Sequence, residues 1–238
     1  MSMAHAHYGH RYAPRKRHSL LTLPALILAG GIVLAVGFVA YVLWPRWPAD
    51  PVALDAPFIP ITIGGAIFNV PPAAIRRPIQ RRPGTQDRVD LAYLWPSLTP
   101  PDPAIKPEPV LSASALDRVF VTITASDGLP PSERIKTIYP RYLDTRIGAG
   151  PDGLAMQPFK DATPYKGEEL IFDPADAERF TLRCSDNGKA STLGICLYEQ
   201  RVGDADIVVR FPRDWLGNWQ MVRERVEKLV ANFRAVVR

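Results

Sequence analysis

Residues 20–44 form an unbroken run of 25 without a charged side chain, set directly behind the basic triplet Arg15-Lys16-Arg17. A bilayer core of about 30 Å is crossed by roughly 20 helical residues, so this run is long enough to span with some tilt. A chain with one such segment near its start is held to a membrane, with almost everything else on one side. A cleaved signal peptide has a shorter apolar core, about 7–15 residues, closed by small residues at the cut. Here the exit is Tyr41-Val42-Leu43-Trp44-Pro45, and the best small-x-small match, Ala35-Val36-Gly37, lies inside the run. The sequence therefore predicts an uncleaved helix over residues 20–44 in contact with the lipid bilayer. Tyr41, Trp44 and Trp47 would form its far aromatic belt. Gly30, Gly31 and Gly37 suit a membrane helix, but the GxxxG spacing of a packed dimer is absent.

The flanks set the orientation. Arg11, Arg15, Lys16 and Arg17 precede the run with no acid among them, whereas Arg46, Asp50 and Asp55 follow it. Positive flanks stay cytoplasmic, which puts residues 1–19 inside as a basic tail and residues from about 45 onward outside, in the periplasm of a bacterium. The same tail explains the overall charge of +5. Removing its four positive charges from 29 basic residues leaves 25 against 24 acidic, a net of +1 for the remainder. A nearly neutral domain gives no electrostatic footprint for nucleic acid.

All four histidines, His5, His7, His10 and His18, also precede the run. A Ser-His-Asp or Cys-His site and a histidine-ligated zinc site are thereby excluded from the outer part. The polar leader His5-Ala6-His7-Tyr8-Gly9-His10 reads as a solvated tail, and no metal or cofactor is expected. Cys184 and Cys196 sit in two apparent strands, Cys184 on one face with Phe180 and Leu182, Cys196 on one face with Tyr198 and Val202. Core-facing cysteines at neighbouring strand ends outside the cytoplasm predict a disulfide. Closing a loop of that size stabilises by roughly 3 kcal/mol on the chain-entropy account. The CxxC spacing of a redox pair is absent.

Fifteen of the 25 prolines fall between Pro45 and Pro109. Residues 45–57 read as an extended proline-rich stalk, and a second proline-rich stretch near 96–109 reads as a long loop inside one domain, residues 58–238. Within that domain, β-branched residues surround the Gly64-Gly65 turn at 59–70, and a short helix starts at Pro71-Pro72 and stops before Pro78. Residues 89–95 and 119–124 alternate as half-buried strands, and 132–143 reads as a helix. Strands follow near 154–159, 169–172 and 180–184. Residues 196–202 and 205–211 flank Gly203-Asp204 as a tight hairpin. Asp214 is positioned to cap a final helix whose Trp215, Trp219, Val222, Val226, Leu229, Val230 and Phe233 recur as one stripe. Many strands, few helices and hairpins rather than βαβ alternation predict an α+β domain: a mostly antiparallel sheet with the C-terminal helix packed on it.

No residue pattern names a reaction. Glu168 and Glu169 are adjacent and in a strand point to opposite faces. Asp204 and Asp206 flank a turn, where acids are common for turn-forming reasons. Asp173, Asp176 and Glu178 match no calcium loop. No catalytic residues are assigned. One charge cluster stands out: Arg76, Arg77, Arg81, Arg82 and Arg88 place five arginines within 13 residues against the single acid Asp87. Guanidinium forks hold phosphate and carboxylate bidentately, so these five are the candidate surface for an acidic or anionic partner. The competing structural role is pairing with acids of the domain itself. The sequence as a whole reads as a single-pass, membrane-anchored binding or assembly module of an envelope complex. The alternative is a histidine-free glycan hydrolase, which would need two carboxyls about 5–9 Å apart across a cleft.

Overall fold

A computed structural model of the protein describes residues 22–43, 52–102, 105, 117–126, 128–185 and 194–234. The chain divides into two units, Met1–Ala49 and Asp50–Arg238.

The first unit contains α1, Thr22–Leu43. Within it Leu23–Val42 is long and apolar enough to cross a membrane, and none of that stretch is buried. Its apolar residues lie all round the axis rather than on a stripe, so no single face could bury them against a protein core. The tail histidines, the basic flank and Trp44–Trp47 lie outside the described residues.

The second unit is built on two sheets. β1 (Ile59–Ile63) and β2 (Ala66–Val70) form a hairpin around Gly64-Gly65, and β1 also pairs in parallel with the two-residue β3 (Gly84–Thr85). The large sheet is antiparallel throughout. Its strands are β4 (Arg88–Leu94), β5 (Arg118–Ala125), β6 (Gly148–Ala149), β7 (Ala155–Pro158), β8 (Glu168–Phe172), β9 (Thr181–Ser185), β10 (Ile195–Val202) and β11 (Ala205–Pro212), in the spatial order β4-β5-β11-β10-β9-β8-β7-β6. The two hairpin turns meet. Asp204 donates its backbone N–H to the Gly64 carbonyl at 3.0 Å, and Gly64 has φ +53° with the Asp204 backbone where a Cβ would stand. Only glycine fits that approach.

Alternation along the strands separates the two faces of the sheet. Val89, Leu91 and Tyr93 of β4, Val121 and Ile123 of β5, and Val209 and Phe211 of β11 point into the main core. The C-terminal helix α3 (Trp219–Arg234) closes that core with Trp219, Val222, Val226, Leu229, Val230 and Phe233, together with Phe68 and Val70 of the hairpin. On the opposite face lies the helical run 131–142, α2, an α turn Pro131–Glu133, a π stretch Arg134–Ile138 and an α turn Tyr139–Tyr142. It packs Tyr139 against Phe159 and Leu170 in a smaller second cluster.

The predicted α+β architecture is the observed one, and two local expectations are corrected. The helix expected between Pro71 and Pro78 is a single 3-10 turn, Pro72–Ala74, because Ile75 leaves it to bridge β4 at Leu91. Asp214 caps nothing. It is exposed inside a 3-10 stretch, Arg213–Asn218, and the α-helix begins only at Trp219. Of the expected extended stalk, residues 52–57 are described and contain a turn closed by Ala56 N–H donating to the Ala53 carbonyl.

Candidate functional site

The five arginines of the sequence cluster are organised by an acid that the linear pattern did not connect with them, Asp90. β4 points Val89 and Leu91 into the core, so Asp90 between them faces the other side of the sheet, yet it is only 4% exposed. A buried carboxylate needs hydrogen-bonded partners to remain charged. Arg88 supplies a fork, Nη2 donating to Oδ1 at 2.7 Å and Nε at 3.0 Å. Thr122, its cross-strand neighbour on β5, donates to Oδ1 at 3.1 Å, and Gln80 donates to Oδ2 at 3.3 Å. Arg77 Nε stands 3.3 Å from Oδ2. Burial alone would raise the Asp90 carboxyl. The hydrogen bonds from Arg88, Gln80 and Thr122 outweigh it and hold the group below the usual carboxylate range.

The cluster therefore divides. Arg77 and Arg88 neutralise Asp90. Arg81 donates Nε and Nη2 to the Ile75 carbonyl at 3.2 and 3.0 Å, tying down the segment that leads along β4. Arg76 places its guanidinium 4.7 Å over the Phe120 ring. Arg82 is exposed and, among the described residues, its guanidinium has no ion pair. Arg77 and Arg88 keep 65% and 46% of their side chains exposed, so pairing with Asp90 leaves donors facing solvent. The register adds arginines that the sequence cluster did not include. Ala92, Phe120 and Arg210 stand in one row across β4, β5 and β11, and Arg118 lies beside them opposite Leu94. No local sequence signal links Arg210 to the cluster; only strand order does.

Cys184 and Cys196 stand directly opposite each other on β9 and β10, Cα atoms 4.0 Å apart and sulfurs at disulfide distance. Both are fully buried on the core face beside Phe180 and Leu182, as their sequence setting implies.

A concavity of about 560 Å³ lies between α2, α3 and β10, lined in part by Glu178, Glu199 and Glu227. Each acid there has a cation. Lys136 lies 3.0 Å from Glu178, Arg134 lies 3.4 Å from Glu199, and Arg179 forks Glu227. Glu168 and Glu169 do face opposite sides: one binds Arg183 at 2.6 Å, the other Arg213. Among the described residues no group of three or more acids, histidines or cysteines is placed to hold a metal ion.

No protein-family model matches the chain, and no curated protein matches it. Two solved structures resemble it. An immunity protein of the Stenotrophomonas maltophilia type IV secretion system aligns with TM-score 0.49 at 14% identity, covering 76% of this chain and 94% of the other. The iron-regulated outer membrane lipoprotein FrpD of Neisseria meningitidis aligns with TM-score 0.38 at 13% identity, covering 78% and 97%. Superpositions this loose transfer no role.

Proposed function

We propose that this protein is a single-pass membrane-anchored module whose C-terminal unit works outside the cytoplasm, in the periplasm of a bacterial envelope. There it serves as a binding or assembly domain of an envelope complex. In this reading residues 20–44 cross the inner membrane, Cys184 and Cys196 staple the domain, and the arginine-bearing face around Arg76, Arg77, Arg81, Arg82 and Arg88 meets an acidic or anionic partner.

The observation that carries the reading is α1. A helix apolar on every side leaves its leucines, valines and isoleucines in water, while the second unit closes a core of its own without it. Full burial of each such side chain is worth about 1.5–3 kcal/mol, and a lipid core supplies that burial to all sides at once. Carboxylate hydrolysis has no comparable observation behind it.

Fractionation tests the anchor. Full-length protein should stay in the membrane pellet through alkaline carbonate washing, and its intact mass should include residues 1–44. A soluble form beginning downstream of the apolar run would contradict the reading.

A further inference from the structure

The large sheet is covered unevenly. α3 and the β1–β2 hairpin close one face, and α2 covers the other only toward β7 and β8, reaching β10 through the Arg134–Glu199 pair. The Pro78–Gln80 turn buries Asp90 and Thr122 at β4 and β5, and beyond it that second face is open around Phe120 and Arg210. Its centre is Phe120, half-buried, with Arg76 over the ring and Arg210 beside it in register. Arg76 and Arg210 are both exposed, and among the described residues neither makes an ion pair. Next to them is a hollow of about 190 Å³ lined by Arg118, Phe120, Ile195, Arg210, Phe211 and Pro212. Its walls are apolar and its rim is guanidinium.

Charge is concentrated here. Around Phe120 itself, Arg76, Arg118 and Arg210 stand against one acid, Asp117, whereas residues 20–238 together carry +1.

We propose that this face binds an acidic segment of a partner protein, with one apolar side chain seated in the hollow beside Phe120 and flanking carboxylates forked by Arg76 and Arg210. The assignment rests on the binding-module reading and names the partner's chemistry. Complementary charge selects and orients such a segment. Stacking on Phe120 fixes the Arg76 fork before the partner arrives, so less side-chain freedom is lost on contact. A bounded apolar pocket with an arginine rim is the arrangement of an interface anchor site. A lipid surface would instead be met by projecting apolar side chains; Ile79 on the Pro78–Gln80 turn, 79% exposed, is one, so phospholipid is the competing occupant that the test must separate.

Site-specific photo-crosslinking tests this in the full-length protein in its native membrane. Benzoylphenylalanine replaces Phe120, and for comparison Ile147, which is 62% exposed near β6. The proposal expects an adduct from position 120, absent at 147, that maps to a protein segment with Asp or Glu on both sides of an apolar residue. Arg210→Glu, which breaks no ion pair among the described residues, should lower that adduct about tenfold at unchanged melting temperature, as should the double change with Arg76→Glu. Adducts to phospholipid, adducts to segments without acids, yields indifferent to charge reversal, or no adduct at all would each overturn it. Failure of the anchored-module reading registers separately, in the carbonate fractionation.

Discussion

Asp90 decides what the arginine run means. Five arginines in 13 residues look like a charged surface, and the fold shows that two of them also neutralise a carboxylate buried beneath them. Arg77, Arg81 and Arg88 thus have partners inside the domain, whereas Arg76 and Arg82 make no ion pair among the described residues. Asp90→Asn should destabilise the domain by about 1–3 kcal/mol, since it weakens the hydrogen bonds of Arg88 and leaves the buried polar partners Gln80 and Thr122 imperfectly satisfied. The cost stays below that of a fully buried pair because both arginines are half exposed. Arg82→Gln should change stability by less than about 0.5 kcal/mol, there being no described contact to break. The pH dependence has a definite sign. The folded carboxyl of Asp90 lies below its ordinary value of about 3.9, so the unfolded chain takes up the proton first. The stability it contributes is present above about pH 4 and lost as pH falls through the folded value. Thermal melts from pH 6 downward should show a shallower acid decline in Asp90→Asn than in the wild type. Parallel declines would remove Asp90 from this role.

At the scale of elements, the β9–β10 pair sets Cys184 opposite Cys196 by register, so the bridge spans adjacent strands and needs no rearrangement to form. Non-reducing mass mapping of protein from its native membrane should recover the two peptides linked, and replacing both cysteines by alanine should lower stability by about 2–5 kcal/mol. Free thiols at both positions would contradict the bridge and weaken the case for an oxidising compartment. The facing of these cysteines was legible in the sequence because Phe180, Leu182 and Cys184 alternate with polar residues, and period-two alternation is a local signal. The final helix was legible for the same kind of reason, its buried stripe recurring at helical spacing. What local patterning could not supply was competition from elsewhere in the fold. The start read from Asp214 failed because a 3-10 stretch seats Leu216 in the core before the α-helix begins. The helix read after Pro71 failed because Ile75 is drawn out to bridge β4. The grouping of Phe120, Arg76 and Arg210 depends on strand order across β4, β5 and β11, which no window of sequence contains.

The whole molecule combines a helix with no face suited to a core and a unit whose core is already closed. The sequence divides likewise, into a basic, histidine-bearing start and a nearly neutral, histidine-free remainder. It also ties the proposed compartment to the proposed chemistry. The second unit combines a buried cysteine pair, an arginine-bearing face and a cleft whose Glu178, Glu199 and Glu227 each pair with a cation. Everything in that account depends on which side of the membrane the second unit occupies. The most direct measurement is a reporter active only in the cytoplasm, fused in one strain before Leu20 and in another after Arg238. Activity is expected from the first fusion and none from the second. Activity from the fusion after Arg238 would place the domain inside the cell and contradict the anchor orientation, the disulfide and the envelope partner together.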